Sequence, residues 1–97
     1  MEVIDHPDDL IGERQLSRLR WSCRRGLLEN DLFIERFFKR YERTLNLRQA
    51  QGLSALMDLS DNDLLDLHLV RKEIGAVNAE LDRPEIHEVL SMLRQTA

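Results

Sequence analysis

Leu28-Glu-Asn-Asp-Leu-Phe-Ile-Glu-Arg-Phe-Phe-Lys-Arg-Tyr-Glu-Arg-Thr44 is the stretch on which the fold turns. Ile34, Phe38, Tyr41 and Leu45 recur at spacings of three and four, and Phe37 widens the stripe, so residues 28 to 44 read as the core helix of an all-α protein. Upstream, Leu16, Leu19, Cys23 and Leu27 keep the same spacing from Glu13 onward and predict a first helix. Gly26 stands near its C-terminus, with Arg24 and Arg25 in the last turn, where cations complement the helix dipole. Downstream, Asn46 with Gln49 has the form of a capping box opening a third helix that buries Ala50, Leu53 and Leu56 or Met57. That helix tolerates Gly52, at a cost of about 1 kcal/mol against alanine. Ser60 with Asp63 opens a fourth, carrying Leu64, Leu67 and His68. Residues 72 to 84, with Gly75 and Pro84, read as a connecting loop. Ile86, Val89, Leu90 and Leu93 give a last helix a clean apolar seam.

No segment sustains the two-residue alternation of a half-buried strand. The expected architecture is a compact single-domain bundle of about five short helices over residues 13–97, preceded by a flexible acidic leader over 1–12, which lacks helical periodicity. Ninety-seven residues suffice for one core and bury only about 60 to 65 % of the unfolded surface, which favours a surface function over a deep, walled active site.

The net charge of −4 is unevenly laid out. Residues 1–12 carry four acids and no base, residues 13–45 nine bases against five acids, and residues 46–97 five bases against nine acids. A basic segment between acidic ones marks either an interaction face or the solvated sides of amphipathic helices. Arg14, Arg18, Arg20, Arg24 and Arg25 are the basis of an alternative in which the chain is a small helical nucleic-acid-binding or regulatory protein; the pI near 5.3 and the acidic second half weigh against it. A single cysteine fits a reducing compartment such as the cytoplasm. No stretch approaches the roughly 20 apolar residues that span a bilayer, so no membrane contact is expected.

Catalytic machinery is not expected. His6 lies in the leader, His68 and Asp66 point to different sides of a helix, and His87 sits beside the apolar seam. Cys23 lies on the core stripe, where it reads as a small hydrophobe. No phosphate-binding glycine loop, nucleophile elbow or metal-ligand spacing is present.

Trp21 is the residue the core does not need. It falls about 200° around the first helix from Leu19, with Ser17 and Arg25 on the same side. Tryptophan and arginine are the side chains most enriched at binding hot spots. The alternative is that another helix covers Trp21 and that Arg25 pairs with Glu29 four residues on.

Arg24-Arg25-Gly26-Leu27-Leu28-Glu29-Asn30-Asp31-Leu32, preceded by Trp21 and Cys23 and followed by Arg36-Phe37-Phe38, resembles the signature of the bacterial flavin assembly factors of succinate dehydrogenase (SdhE-like), whose hallmark is Arg-Gly-x-x-Glu. Leu56 to Leu69, with Asp61-Asn62-Asp63-Leu64, resembles the family's second recurring stretch, and the likeness runs from Leu16 to about Leu93. Where many relatives carry a tryptophan in the fourth helix, this sequence has Leu67 followed by His68. The resemblance implies a protein without catalytic activity that binds the flavoprotein subunit of succinate dehydrogenase, and often that of fumarate reductase, and promotes covalent attachment of FAD to a histidine of that subunit. It implies that no cofactor is held stably by this chain. By position it makes Arg25, Gly26 and Glu29 the functional residues, with Trp21, Arg24 and Asp31 as neighbours in the contact patch. Some relatives are described as antitoxin-like, which the residues neither support nor exclude.

Overall fold

The computed structural model of the chain describes residues 9–24 and 27–95. Among them are six α-helices and one 3-10 turn: α1 (Glu13–Ser22), α2 (Leu28–Tyr41), α3 (Leu47–Met57), α4 (Asp61–His68), α5 (Ile74–Val77), the 3-10 turn Ala79–Leu81, and α6 (Pro84–Gln95). There is no strand among the described residues, only a single antiparallel bridge between Leu10 and Asn46. The five longer helices are those expected from periodicity.

The seam of α6 forms the centre. Ile86, Val89, Leu90 and Leu93 are buried, and α6 packs most extensively on α3 and also against α2 and α4. α3 offers Leu53, Leu56 and Met57, α2 offers Ile34, Phe37 and Phe38, and α4 offers Leu64 and Leu67. Phe37 meets Phe38 edge to face at 5.4 Å. Leu67 of α4 is fully buried.

Local chemistry sets the helix starts as the sequence implies. The Asn46 side chain accepts from the Gln49 amide at 2.8 Å and the Gln49 side chain accepts from the Asn46 amide at 3.0 Å, completing the capping box. Ser60 Oγ accepts from the Asp63 amide at 3.2 Å at the start of α4.

Four features depart from expectation. α1 ends at Ser22 with Cys23 as its C-cap; Arg24 lies beyond the helix, its amide turned back to the Trp21 carbonyl at 3.2 Å, and Leu27 is the N-cap of α2 rather than a member of the α1 stripe. α2 stops at Tyr41 instead of Thr44, because the chain must turn for Leu45, 1 % exposed, to enter the core. The segment expected as a loop over 72–84 contains α5 and the 3-10 turn, which bury Ile74 and Leu81; pieces this short show no periodicity. The first eight residues of the expected leader lie outside the described residues. Asp9 to Ile11 run antiparallel to residues 45–47, the Leu47 amide donating to the Asp9 carbonyl at 2.9 Å and the Ile11 amide to the Leu45 carbonyl at 3.1 Å.

Gly52 is the fourth departure. A Cβ built there would lie 2.9 Å from the Glu85 carbonyl oxygen and 3.0 Å from Val89 Cγ2, so the missing side chain is what lets α3 approach α6. Gly52→Ala is expected to lower the melting temperature, because an overpacking cost of roughly 1 to 3 kcal/mol exceeds the helix-propensity gain of about 1 kcal/mol.

α4 ends in a Schellman motif. The Arg71 amide donates to the Asp66 carbonyl at 2.8 Å and the Val70 amide to the Leu67 carbonyl at 3.2 Å. The left-handed position, φ 60°, is held by Val70, a β-branched residue where glycine is usual. Val70 is 67 % exposed, so replacing it sacrifices little packing. Val70→Gly is expected to stabilise the fold by about 1 kcal/mol, seen as a melting temperature raised by about 4 to 8 °C.

Candidate docking surface at the first helix turn

An open groove of about 670 Å³ lies between α1 and α2. Its floor is Cys23, Ile34 and Phe38; its walls are Ser17, Arg20, Trp21 and Arg24 from the α1 side and Leu28, Asp31 and Glu35 from α2. Cys23 is fully buried, consistent with a packing role.

Among the described residues no other helix covers the indole. Trp21 is 70 % exposed and Leu28 is 67 % exposed, two large apolar groups placed in solvent along the same groove. The Arg24 guanidinium lies over the Trp21 ring at 5.1 Å, within cation–π range. Arg20 crosses the groove: its Nη1 is 2.9 Å from Glu42 Oε2 and its guanidinium lies 5.7 Å from the centre of the Phe38 ring. That bridge is half in solvent and contributes less than about 1 kcal/mol, yet it ties the last turn of α1 to the C-cap of α2. Of the five-arginine cluster, Arg20 is thus paired, Arg24 is stacked, and Arg14 and Arg18 are exposed.

The expected site residues are distributed as follows. Trp21, Arg24 and Asp31 line the groove together. Glu29 is exposed on the first turn of α2, and Glu29 and Asp31 both place negative charge at the positive end of that helix. Arg25 and Gly26 lie outside the described residues.

The histidines divide. His6 lies outside the described residues. His87 Nε2 is 2.6 Å from Asp82 Oδ1 at the surface. His68 is 3 % exposed, with Nδ1 3.1 Å from Asn30 Oδ1, while Asp66 pairs instead with Lys72 at 3.4 Å and Arg71 at 3.7 Å. Among the described residues no group of three or more His, Cys, Asp or Glu side chains is arranged to hold a metal ion, and no helix is long and apolar enough to cross a membrane. Asn30, fully buried in the first turn of α2, is the residue that pattern reading missed. Its signal was present: Asn30 stands at the spacing of Ile34, Phe37 and Tyr41, a polar side chain on an apolar stripe.

The family model described as "Flavinator of succinate dehydrogenase", Sdh5, matches residues 17–97. The chain belongs to this family. An FAD assembly factor SdhE of Ralstonia nicotianae is 53% identical over 78 residues, covering 80% of this chain and 79% of that protein. An FAD assembly factor SdhE of Coxiella burnetii is 39% identical over 49 residues, 50% of this chain and 60% of that protein. The mitochondrial succinate dehydrogenase assembly factor 2-B of Drosophila willistoni is 34% identical over 89 residues, 92% of this chain and 54% of that protein. No solved structure matches the chain. The match to the family model takes in all the helical elements from the middle of α1 onward, including the groove.

Because Trp21 contributes almost nothing to the core, Trp21→Ala is expected to change unfolding free energy by no more than about 0.5 kcal/mol. Phe37→Ala, at a fully buried site, is expected to cost about 3 to 5 kcal/mol. Urea denaturation of the two variants checks the contrast.

Proposed function

We propose that this protein is an assembly factor that docks on the flavoprotein subunit of succinate dehydrogenase and promotes covalent attachment of FAD to a histidine of that subunit. The same docking serves the flavoprotein subunit of fumarate reductase. The support is the exposure of Trp21 and Leu28, which flank the Arg25-Gly26 pair in the sequence, in a chain of the flavinator family. An indole and a leucine left in solvent beside charged groups are what a hot-spot patch requires: apolar area at the centre and polar groups around it.

The contact patch comprises Arg25, Gly26 and Glu29, with Trp21, Arg24 and Asp31 beside them. Gly26 lets the backbone come close to the partner, Arg25 engages a carboxylate or carbonyl, and Glu29 fixes the arginine or pairs across the interface. The chain supplies no catalytic group and keeps no cofactor. Attachment requires the flavin's reactive carbon held against the partner's imidazole, and orientation of this kind lowers a barrier by several kcal/mol. A helper that binds the competent conformation of the subunit better than the others shifts the population toward it. The single thiol, buried at Cys23, accords with a reducing, cytoplasmic setting.

Co-expression with the flavoprotein subunit, followed by flavin fluorescence of that subunit after denaturing electrophoresis, tests the proposal. Trp21→Ala, Arg25→Ala and Glu29→Ala are each expected to cut covalent flavin by about tenfold or more, the effect of losing a hot-spot contact of at least 1.4 kcal/mol. Full flavin loading with all three variants would refute the assignment of the patch.

A further inference from the structure

We infer that Asn30 and His68 are positioning residues for the docking patch at the first turn of α2: together they fix the start of α2, and with it Glu29, against α4. The inference rests on the docking role proposed above.

α2 begins without a side-chain cap. Leu27 occupies the N-cap position and makes no capping bond, and the first two helical residues, Leu28 and Glu29, are exposed. Such a start leaves amide groups uncapped and little packing to define the direction of the first turn. The third residue supplies the anchor. Asn30 is fully buried; its Nδ2 donates to the Asp61 carbonyl at 2.9 Å, and its Oδ1 lies 3.1 Å from His68 Nδ1. With the amide nitrogen engaged by a carbonyl, the amide oxygen faces the imidazole, so the proton of that contact resides on Nδ1 of His68. One amide thereby ties the start of α2 to the first and the last residue of α4.

The imidazole is fixed in turn. Phe33 of α2 stacks on it with ring centres 4.5 Å apart and planes 28° from parallel. The helix that bears it is held by α6, because Arg94 Nε and Nη2 both donate to the Leu67 carbonyl, at 2.9 and 2.7 Å. A chain of fixed contacts therefore runs from α6 through the end of α4 to Asn30, and from Asn30 to its chain neighbour Glu29. A purely apolar pair at positions 30 and 68 would adhere as well without the cost of burying two polar side chains. What the amide and imidazole add is a single register, since directional bonds oppose the roll and slide that apolar contacts allow. Interface groups act only when held to within about 0.5 Å of their productive placement.

Two measurements test this. In the wild-type chain, nitrogen-15 spectra of the histidine rings are expected to show His68 protonated at Nδ1; an unprotonated Nδ1 overturns the proposed link. In the second, purified flavoprotein subunit and FAD are titrated with the full chain, and the concentration for half-maximal flavin attachment is separated from the limiting rate. His68→Leu keeps apolar bulk and removes the donor; with folding verified by circular dichroism, it is expected to raise the half-maximal concentration by about 10- to 100-fold, as a displaced contact does, with the limiting rate retained. His68→Gln, which returns an N–H donor toward Asn30, is expected to recover most of the loss. Asn30→Asp, which keeps the acceptor but removes the donor to Asp61, provides a second variant should His68→Leu not fold. Wild-type titrations by folded His68→Leu or Asn30→Asp, while Glu29→Ala is impaired, would overturn the inference. If Glu29→Ala also titrates like wild type, the docking role itself falls.

Discussion

Everything in this fold depends on how closely α3 can approach α6. The apolar seam of α6 packs against three other helices, α2, α3 and α4, and at Gly52 the Glu85 carbonyl stands where a side chain would otherwise be. Close approach buries Val89 and Leu93 completely and leaves α2 and α4 to close over the remaining faces. In a chain of 97 residues, with little core to spare, this one crossing determines where every other element can lie.

α1 stands apart from that economy. Within the helix only Leu19 is buried, and the element is fastened at its two ends, by the backbone pairing of residues 9–11 with 45–47 and by the bridge from Arg20 to Glu42. Its remaining surface is free to carry Trp21 and the arginines. A helix that contributes little to the core can present what the core would exclude, which is why the candidate site is found at its end.

Much of this was legible in the sequence. The five long helices follow from three-four spacing, and the starts of α3 and α4 follow from capping chemistry, because both are local. The position of Trp21 opposite Leu19 placed it off the core stripe by helical geometry alone; its exposure needed coordinates, since helical spacing cannot say whether a neighbour covers an off-stripe face. What escaped was non-local or too short to be periodic. Gly52 reads as a weakness until the Glu85 carbonyl is seen beside it. Ile74 and Leu81 anchor one-turn pieces with no repeat to detect. Asn30 and His68 looked like two unrelated polar residues, and their pairing across 38 positions depends on the bundle being assembled.

The exposure of Trp21 has a spectroscopic consequence. It is the only tryptophan in the chain and 70 % exposed, so its emission in the native state is expected to be that of a hydrated indole. Unfolding changes its surroundings little, whereas contact at the first helix turn removes water from it. Intrinsic fluorescence of this protein is therefore a poor gauge of the core and a built-in probe of the groove between α1 and α2.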